Sequence, residues 1–171
     1  MHKPKLYIFI GAPGAGKTQI SKMIAELTGA EHLWADVERH RIFGQPTHSL
    51  EESEELYKRL NDNADLLLSQ GKNVIFDTNF NYYADRQLMR DIAAKHDAET
   101  VVIWVTTPEA IARSRAVYPP TMRNGYMQGM SDQEFDAIVH KLEPPTEDEK
   151  VIKIDGTKID ETQIKSLLNI E

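Results

Sequence analysis

The chain has 171 residues, 40% hydrophobic and 27% charged, with a formal net charge of −7 and no cysteine. That length suits one domain with a full hydrophobic core, and the missing cysteines exclude disulfides, thiolate catalysis and cysteine-ligated metals. No apolar run approaches the roughly 20 residues that span a bilayer, and the acidic balance argues against coating nucleic acid through the overall field, though not against a local basic groove.

Residues 5–10, KLYIFI, are aromatic and β-branched and predict a first strand. The apolar run ends too soon for a signal peptide, and with no targeting segment the expected location is the cytoplasm, where ATP and magnesium are supplied. After a Gly-rich loop, Ile20, Met23, Ile24 and Leu27 recur at helical spacing before Gly29. Residues 32–36, HLWAD, read as a second strand ending on an acid. Residues 49–71 form a long amphipathic helix between a Ser start and a Gly stop, with Leu50, Leu56, Leu60, Ala64, Leu67 and Leu68 on one face. NVIFD, TVVIWVT and KVIKID supply three more strands, with helices over ADRQLMRDIAAKHD, PEAIARSRAV and SDQEFDAIVHKLE between them and a last helix over DETQIKSLLNI. Ser131 with Glu134 makes a capping box. The least regular stretches are 41–49 and 118–130. Strands alternating with helices imply an α/β domain over 1–171, a parallel sheet covered on both faces.

Gly11-Ala12-Pro13-Gly14-Ala15-Gly16-Lys17-Thr18 fits G-x-x-x-x-G-K-[ST] between a strand and a helix, the context a phosphate-binding P-loop requires. Backbone N–H groups would cradle the phosphates of ATP, Lys17 would neutralise the β/γ position, and Thr18 would ligate Mg²⁺. Asp77 ends the VIF strand where ligands of such sheets bind, and is the natural second partner of the metal. Asn79 and Asn81 follow it, and either substrate contacts or turns suit them. Asp36, at the same sheet edge with Arg39 three residues on, reads either as the base that takes a proton from an acceptor hydroxyl or as a helix N-cap. Between Ala110 and Ser131 there is no acid, while Arg113, Arg115 and Arg123 all fall there, a pattern that suits a cationic lid over about 116–130. Arg113 and Arg115 point to different faces, so at most one meets the phosphates. The six histidines show no metal-binding spacing. Trp34 and Trp104 read as core.

These pieces together resemble the P-loop kinases of the 5′-hydroxyl polynucleotide kinase and zeta-toxin-like group: GAPGAGKT, Asp36-Val37-Glu38-Arg39 as D-x-x-R, DTNFN at 77–81, Arg123-Asn124-Gly125 in the lid, and EPPTEDE at 143–149. The resemblance implies a nucleoside-kinase-like three-layer sandwich with a five-stranded parallel sheet in the order 2-3-1-4-5. It implies Asp36 as base, Arg39 on the acceptor, Asp77 near metal and acceptor, and Arg123 as the transition-state arginine, with Asn79 added as a substrate contact. Arg113 and the loop at Gly156, which borders the adenine in such kinases, complete the nucleotide site. The chain lacks an appended repair domain, which weakens the nucleic-acid reading. The expected reaction transfers the γ-phosphate of ATP to a hydroxyl, first that of a polynucleotide 5′ end, because D-x-x-R and DTN-x-N match that branch, approached past His32, Arg39, His40, Arg41 and His48, with a small molecule (metabolite, antibiotic or nucleotide sugar) as the alternative. An ATPase or nucleotide-dependent switch is the alternative of another class. Neither a membrane nor a stable protein partner is implied.

Overall fold

A computed structural model describes residues 2–171. Its centre is strand β1 (Lys5–Ile10), whose side chains alternate between the two faces of the sheet. Leu6, Ile8 and Ile10 enter one core and Tyr7 and Phe9 the other, all of them buried, so past Lys5 the strand carries no charged position. Around it lie β2 (Glu31–Trp34), β3 (Val74–Asp77), β4 (Glu99–Val105) and, after a hairpin, β7 (Ile152–Ile154). The order is β2-β3-β1-β4-β7 and every pairing is parallel, which is the expected 2-3-1-4-5 arrangement.

On one face, α3 (Leu50–Ser69) contributes Leu56, Leu60, Ala64 and Leu68, and α4 (Tyr83–Lys95) contributes Met89 and Ala93. The other face is covered by Ile20 and Ile24 of α1 (Lys17–Thr28) and by Ile164 and Leu168 of α7 (Glu161–Leu168). Remaining helices are α2 (Ala35–Phe43), α5 (Glu109–Ala116) and α6 (Asp132–His140). Both predicted Ser caps form: Ser49 Oγ accepts from Glu52 N, and Ser131 with Glu134 makes the capping box. Among the described residues no helix is long and apolar enough to cross a membrane.

Two local expectations change. The second strand stops at Trp34, and Asp36 lies inside the first turn of α2 rather than on the strand; the N-cap is Trp34, so Asp36 caps nothing. The irregular 118–130 stretch is an antiparallel hairpin, β5 (Tyr118–Arg123) and β6 (Tyr126–Met130). Asn124 and Gly125 both take positive φ at its tip, 52° and 85°, the conformation for which Asn-Gly is the favoured two-residue hairpin turn. Pro119 and Pro120 are tolerated because the ladder is irregular there, between Tyr118 and Thr121.

EPPTEDE has a structural explanation. Arg86 of α4 is fully buried, pairs through Nε and Nη2 with Glu149, and donates through Nη1 to the carbonyls of Phe80 and Asn81 at 2.9 and 3.2 Å. Burial alone would raise the Glu149 carboxyl, but the hydrogen bonds from Arg86 and Thr146 N hold it below its usual value. The pair thereby clamps the loop after β3, which carries Asn79 and Asn81, onto the segment before β7. Glu149→Ala strands a buried guanidinium and should cost about 3–5 kcal/mol of unfolding free energy. Replacing both partners by apolar residues should recover most of that. A urea-denaturation loss below about 1 kcal/mol, the scale of an exposed pair, would show that the clamp is not holding the loop.

Candidate active site

The loop between β1 and α1 is shaped by close approaches. Gly14 has φ +78°, and a Cβ there would lie 2.2 Å from the Ala112 carbonyl oxygen of α5. Gly16, at φ +113°, precedes α1 without a side-chain cap, and no acid occupies the first helical turn, so the amino end of α1 keeps its N–H groups for a ligand. Lys17 Nζ curls back to donate to the Gly11 and Ala12 carbonyls, both at 2.8 Å. Burial lowers its pKa to about 8, against the opposing pull of Asp77 and Asp36. Gly156, in the loop after β7, presses on the same structure: a Cβ there would meet Ala15 O at 1.9 Å. Thr107 Oγ1 donates to that Ala15 oxygen at 2.6 Å.

Lys17 and Thr18 open onto a cleft of about 900 Å³ at the carboxyl edge of the sheet. Asp36, Asp77, Asn79 and Asn81 line the same cleft. Asp77 is buried at the end of β3, with His32 Nε2 at 3.0 Å from its Oδ2. The Oδ1 atoms of Asn79 and Asn81 have no hydrogen-bond partner. Asp36 is exposed to the cleft, and among the described residues no side chain donates to its carboxylate. Desolvation by the surrounding walls raises its pKa, and Asp77 raises it further, against Arg39, His48 and Lys17.

The arginines are arranged differently from expectation. Arg113 does not reach the phosphate loop: Glu109, Asp132 and Asp136 hold its guanidinium, which lies 4.5 Å over the Phe135 ring and fastens α5 to α6. Those carboxylates raise its pKa still further. Arg115, on the other face of α5, is the one at the loop, donating to Gly156 O at 3.1 Å and Gly14 O at 3.4 Å. Arg123 sits at the hairpin tip, 4.1 Å over the Tyr118 ring, and does not line the cleft. Arg39 is also withdrawn. It is buried, 2.7 Å from Glu52, with Ser53 Oγ at 3.3 Å.

Residues that the sequence left out of the site complete the cleft. Trp34 lines it rather than the core, stacked parallel to His32 with centroids 5.6 Å apart. Tyr57 reaches it from α3, its hydroxyl 2.8 Å from Thr78 Oγ1. From the hairpin, Tyr126 stacks on His40 of α2 at 3.6 Å and bridges the cleft. An isolated two-stranded hairpin is marginal by itself, so this contact helps to set where it rests.

The donor set fits a nucleotide with magnesium. Gly14, Gly16 and Gly156 let the phosphate loop pack against α5 and the loop after β7 with no room for a Cβ, which fixes its backbone, and Thr18 and Asp77 offer two oxygens to one cleft. Among the described residues there is no cluster of three or more His, Asp or Glu able to cage a metal. Mg²⁺ shared between one or two protein oxygens, phosphate and water needs no such cage.

Five parallel strands, a phosphate-binding loop opening α1 and an acid at the end of β3 define a small P-loop kinase fold. The chain belongs to the AAA domain family, whose model matches residues 6–145. Among solved structures, it is similar to a protein from Chloroflexus aurantiacus j-10-fl named as a candidate kinase, at 17% identity over 99% of this chain and 100% of that one, TM-score 0.73. It is similar also to the Mycobacterium tuberculosis APS kinase CysC in complex with AMPPNP and APS, at 16% over 99% and 98%, TM-score 0.66. A third likeness is to the Pnkp1/Rnl/Hen1 RNA repair complex, at 21% over 83% of this chain and 45% of that one, TM-score 0.66. At these identities the likeness is one of fold. No curated protein matches the sequence.

The two arginines of α5 should separate cleanly. Arg115→Ala is expected to weaken binding of an ATP analogue by about ten- to a hundredfold, since it removes a charged donor from the loop. Arg113→Ala should lower the melting temperature and leave that affinity unchanged. The reverse pattern in calorimetric titration and melting would restore Arg113 to the nucleotide site.

Proposed function

We propose that the protein is an ATP- and Mg²⁺-dependent kinase that transfers the γ-phosphoryl group to an acceptor hydroxyl. The observation that carries this reading is Asp36: an unpartnered carboxylate of raised pKa in the cleft that Lys17 and Thr18 share. A general base needs a free lone pair and an affinity for protons closer to neutrality than an ordinary carboxylate has. The loop N–H groups and Lys17 would hold the phosphates, and Arg115 would stiffen the loop through Gly14 and Gly156. Thr18 and Asp77 would hold Mg²⁺, which when bound neutralises phosphate charge. Asp36 would take the hydroxyl proton as the acceptor oxygen meets phosphorus, and Asn79 and Asn81 would orient the acceptor.

Of the two acceptor classes, the cleft favours a small molecule over a polynucleotide 5′ end. Arg39 is spent on Glu52, Arg41 is exposed and paired with Glu38, and His32 lies against Asp77. His40 and His48 remain, too little for a backbone-tracking basic channel. The test is ADP formation across a panel of hydroxyl compounds, with phosphorylated product identified by mass. Acceptor-dependent turnover is expected; equal ATP consumption without any acceptor would replace the kinase by an ATPase.

A further inference from the structure

We infer that the acceptor is an uncharged or cationic small molecule, bearing a ring or apolar face beside its reactive hydroxyl, and that charge disfavours an anionic acceptor. The inference rests on the kinase reading and adds the substrate class. Its first support is the charge inventory of the acceptor end. Asp77 lies against His32 and would be shared with Mg²⁺, which leaves the carboxylate of Asp36 as the free fixed charge there, while the two fixed cations of the cleft lining, Lys17 and Arg115, are bonded to carbonyls of the phosphate loop. An acceptor bringing a second anion would meet like charge in a site of reduced dielectric.

The second support is how Arg39 is disposed of. It follows the base by three residues on α2, one helical turn on, where a free guanidinium could meet an anionic acceptor. Glu52 prevents that. Its carboxylate takes Arg39 Nη1, Thr47 N at 2.7 Å, Thr47 Oγ1 at 3.1 Å and His48 N at 3.3 Å. Burial works against ionisation, yet these donors hold the Glu52 pKa at about 2, so the countercharge persists at any physiological pH. The guanidinium is neutralised by a carboxylate that is itself fixed by the turn leading into α3.

The third support is the lining that remains. Tyr57 and Tyr126, the latter stacked on His40, give ring surfaces, and Trp34 lines the same cleft with His32 stacked on it and Lys22 Nζ 4.7 Å over its ring. Asn79 and Asn81 line the same wall, their Oδ1 atoms buried and without partners, and their side-chain amides suit a ligand that carries hydroxyl or amine groups. A donor-rich molecule with a ring face meets both demands.

The test uses two pairs alike in skeleton and different in charge, adenosine against adenosine 3′-monophosphate and glucosamine against glucuronate. Each is titrated calorimetrically into the full chain saturated with a non-hydrolysable ATP analogue and Mg²⁺, and each is assayed for transfer with ATP. The uncharged or cationic member of at least one pair should bind at least about tenfold more tightly than its anionic counterpart. Glu52→Gln, checked for folding by its melting curve, should narrow that ratio by about tenfold by unmasking Arg39. Tighter or equal binding of the anionic member, or no binding by either favoured member, overturns the inference, as does an unchanged ratio in folded Glu52→Gln. Binding is read without chemistry, so absence of transfer to every compound would sink the kinase reading while the charge preference is still measured.

Discussion

Asp36→Asn is expected to lower phosphoryl transfer by about 10²-fold or more, the scale on which a general base acts, with ATP-analogue affinity little changed. Asparagine keeps the shape and removes the proton acceptor. The structure adds an expectation about stability. The Asp36 pKa is raised in the folded protein, so the fold favours the protonated form; ionisation costs stability above the folded pKa, and that cost is absent below the ordinary carboxylate value. The Asn variant should therefore be at least as stable as the parent at neutral pH. A capping residue would behave in the opposite way, losing about 0.5–2 kcal/mol. In the parent, kcat/KM should rise with pH as Asp36 deprotonates, with its acidic limb above the usual carboxylate range, and the Asn variant should lose that limb. Normal transfer by Asp36→Asn would remove the base assignment, and loss of analogue binding would move Asp36 to a metal or structural role.

Much of this site was readable because its determinants are local. A glycine pattern between a strand and a helix specifies the phosphate loop, and the alternation of Leu6, Ile8 and Ile10 with Tyr7 and Phe9 specifies a strand buried on both sides. The roles that needed the structure depend on partners far along the chain. Arg113 and Arg115 differ by two positions, and what separates them is that Asp132 and Asp136 of α6 face one while Gly156 faces the other. Arg39 looked available because Glu52, thirteen residues on, is invisible to a D-x-x-R pattern. Glu149 is 63 residues from Arg86. The hairpin is a different case: Arg123-Asn124-Gly125-Tyr126 carries a local turn signal, and the neighbouring prolines and glycines hid it.

Lys17→Ala should abolish measurable transfer, because the ammonium stabilises charge that grows on the phosphates as the bond to the leaving group breaks. Its effect on the fold should be small. Below about pH 8 the folded protein carries a buried ammonium whose pKa lies beneath the ordinary lysine value, so protonated Lys17 costs stability there, and that cost fades as pH rises toward the unfolded value. Truncation removes that cost, which is a gain, and the two hydrogen bonds to Gly11 and Ala12, which is a loss, and the two offset. The same depressed pKa predicts how nucleotide binding responds to pH. A phosphate chain favours the protonated amine, so the complex holds the proton more tightly than the free protein does. Affinity for an ATP analogue should be level below about pH 8 and fall above it, with proton uptake on binding in that upper range. Lys17→Ala should bind weakly at every pH and show neither the fall nor the uptake. Calorimetry in two buffers of different ionisation enthalpy measures the uptake directly. Near-normal turnover in Lys17→Ala, or an unchanged fall in affinity above pH 8 in that variant, would mean that another group holds the phosphates and that the loop from Gly11 to Thr18 is only a turn.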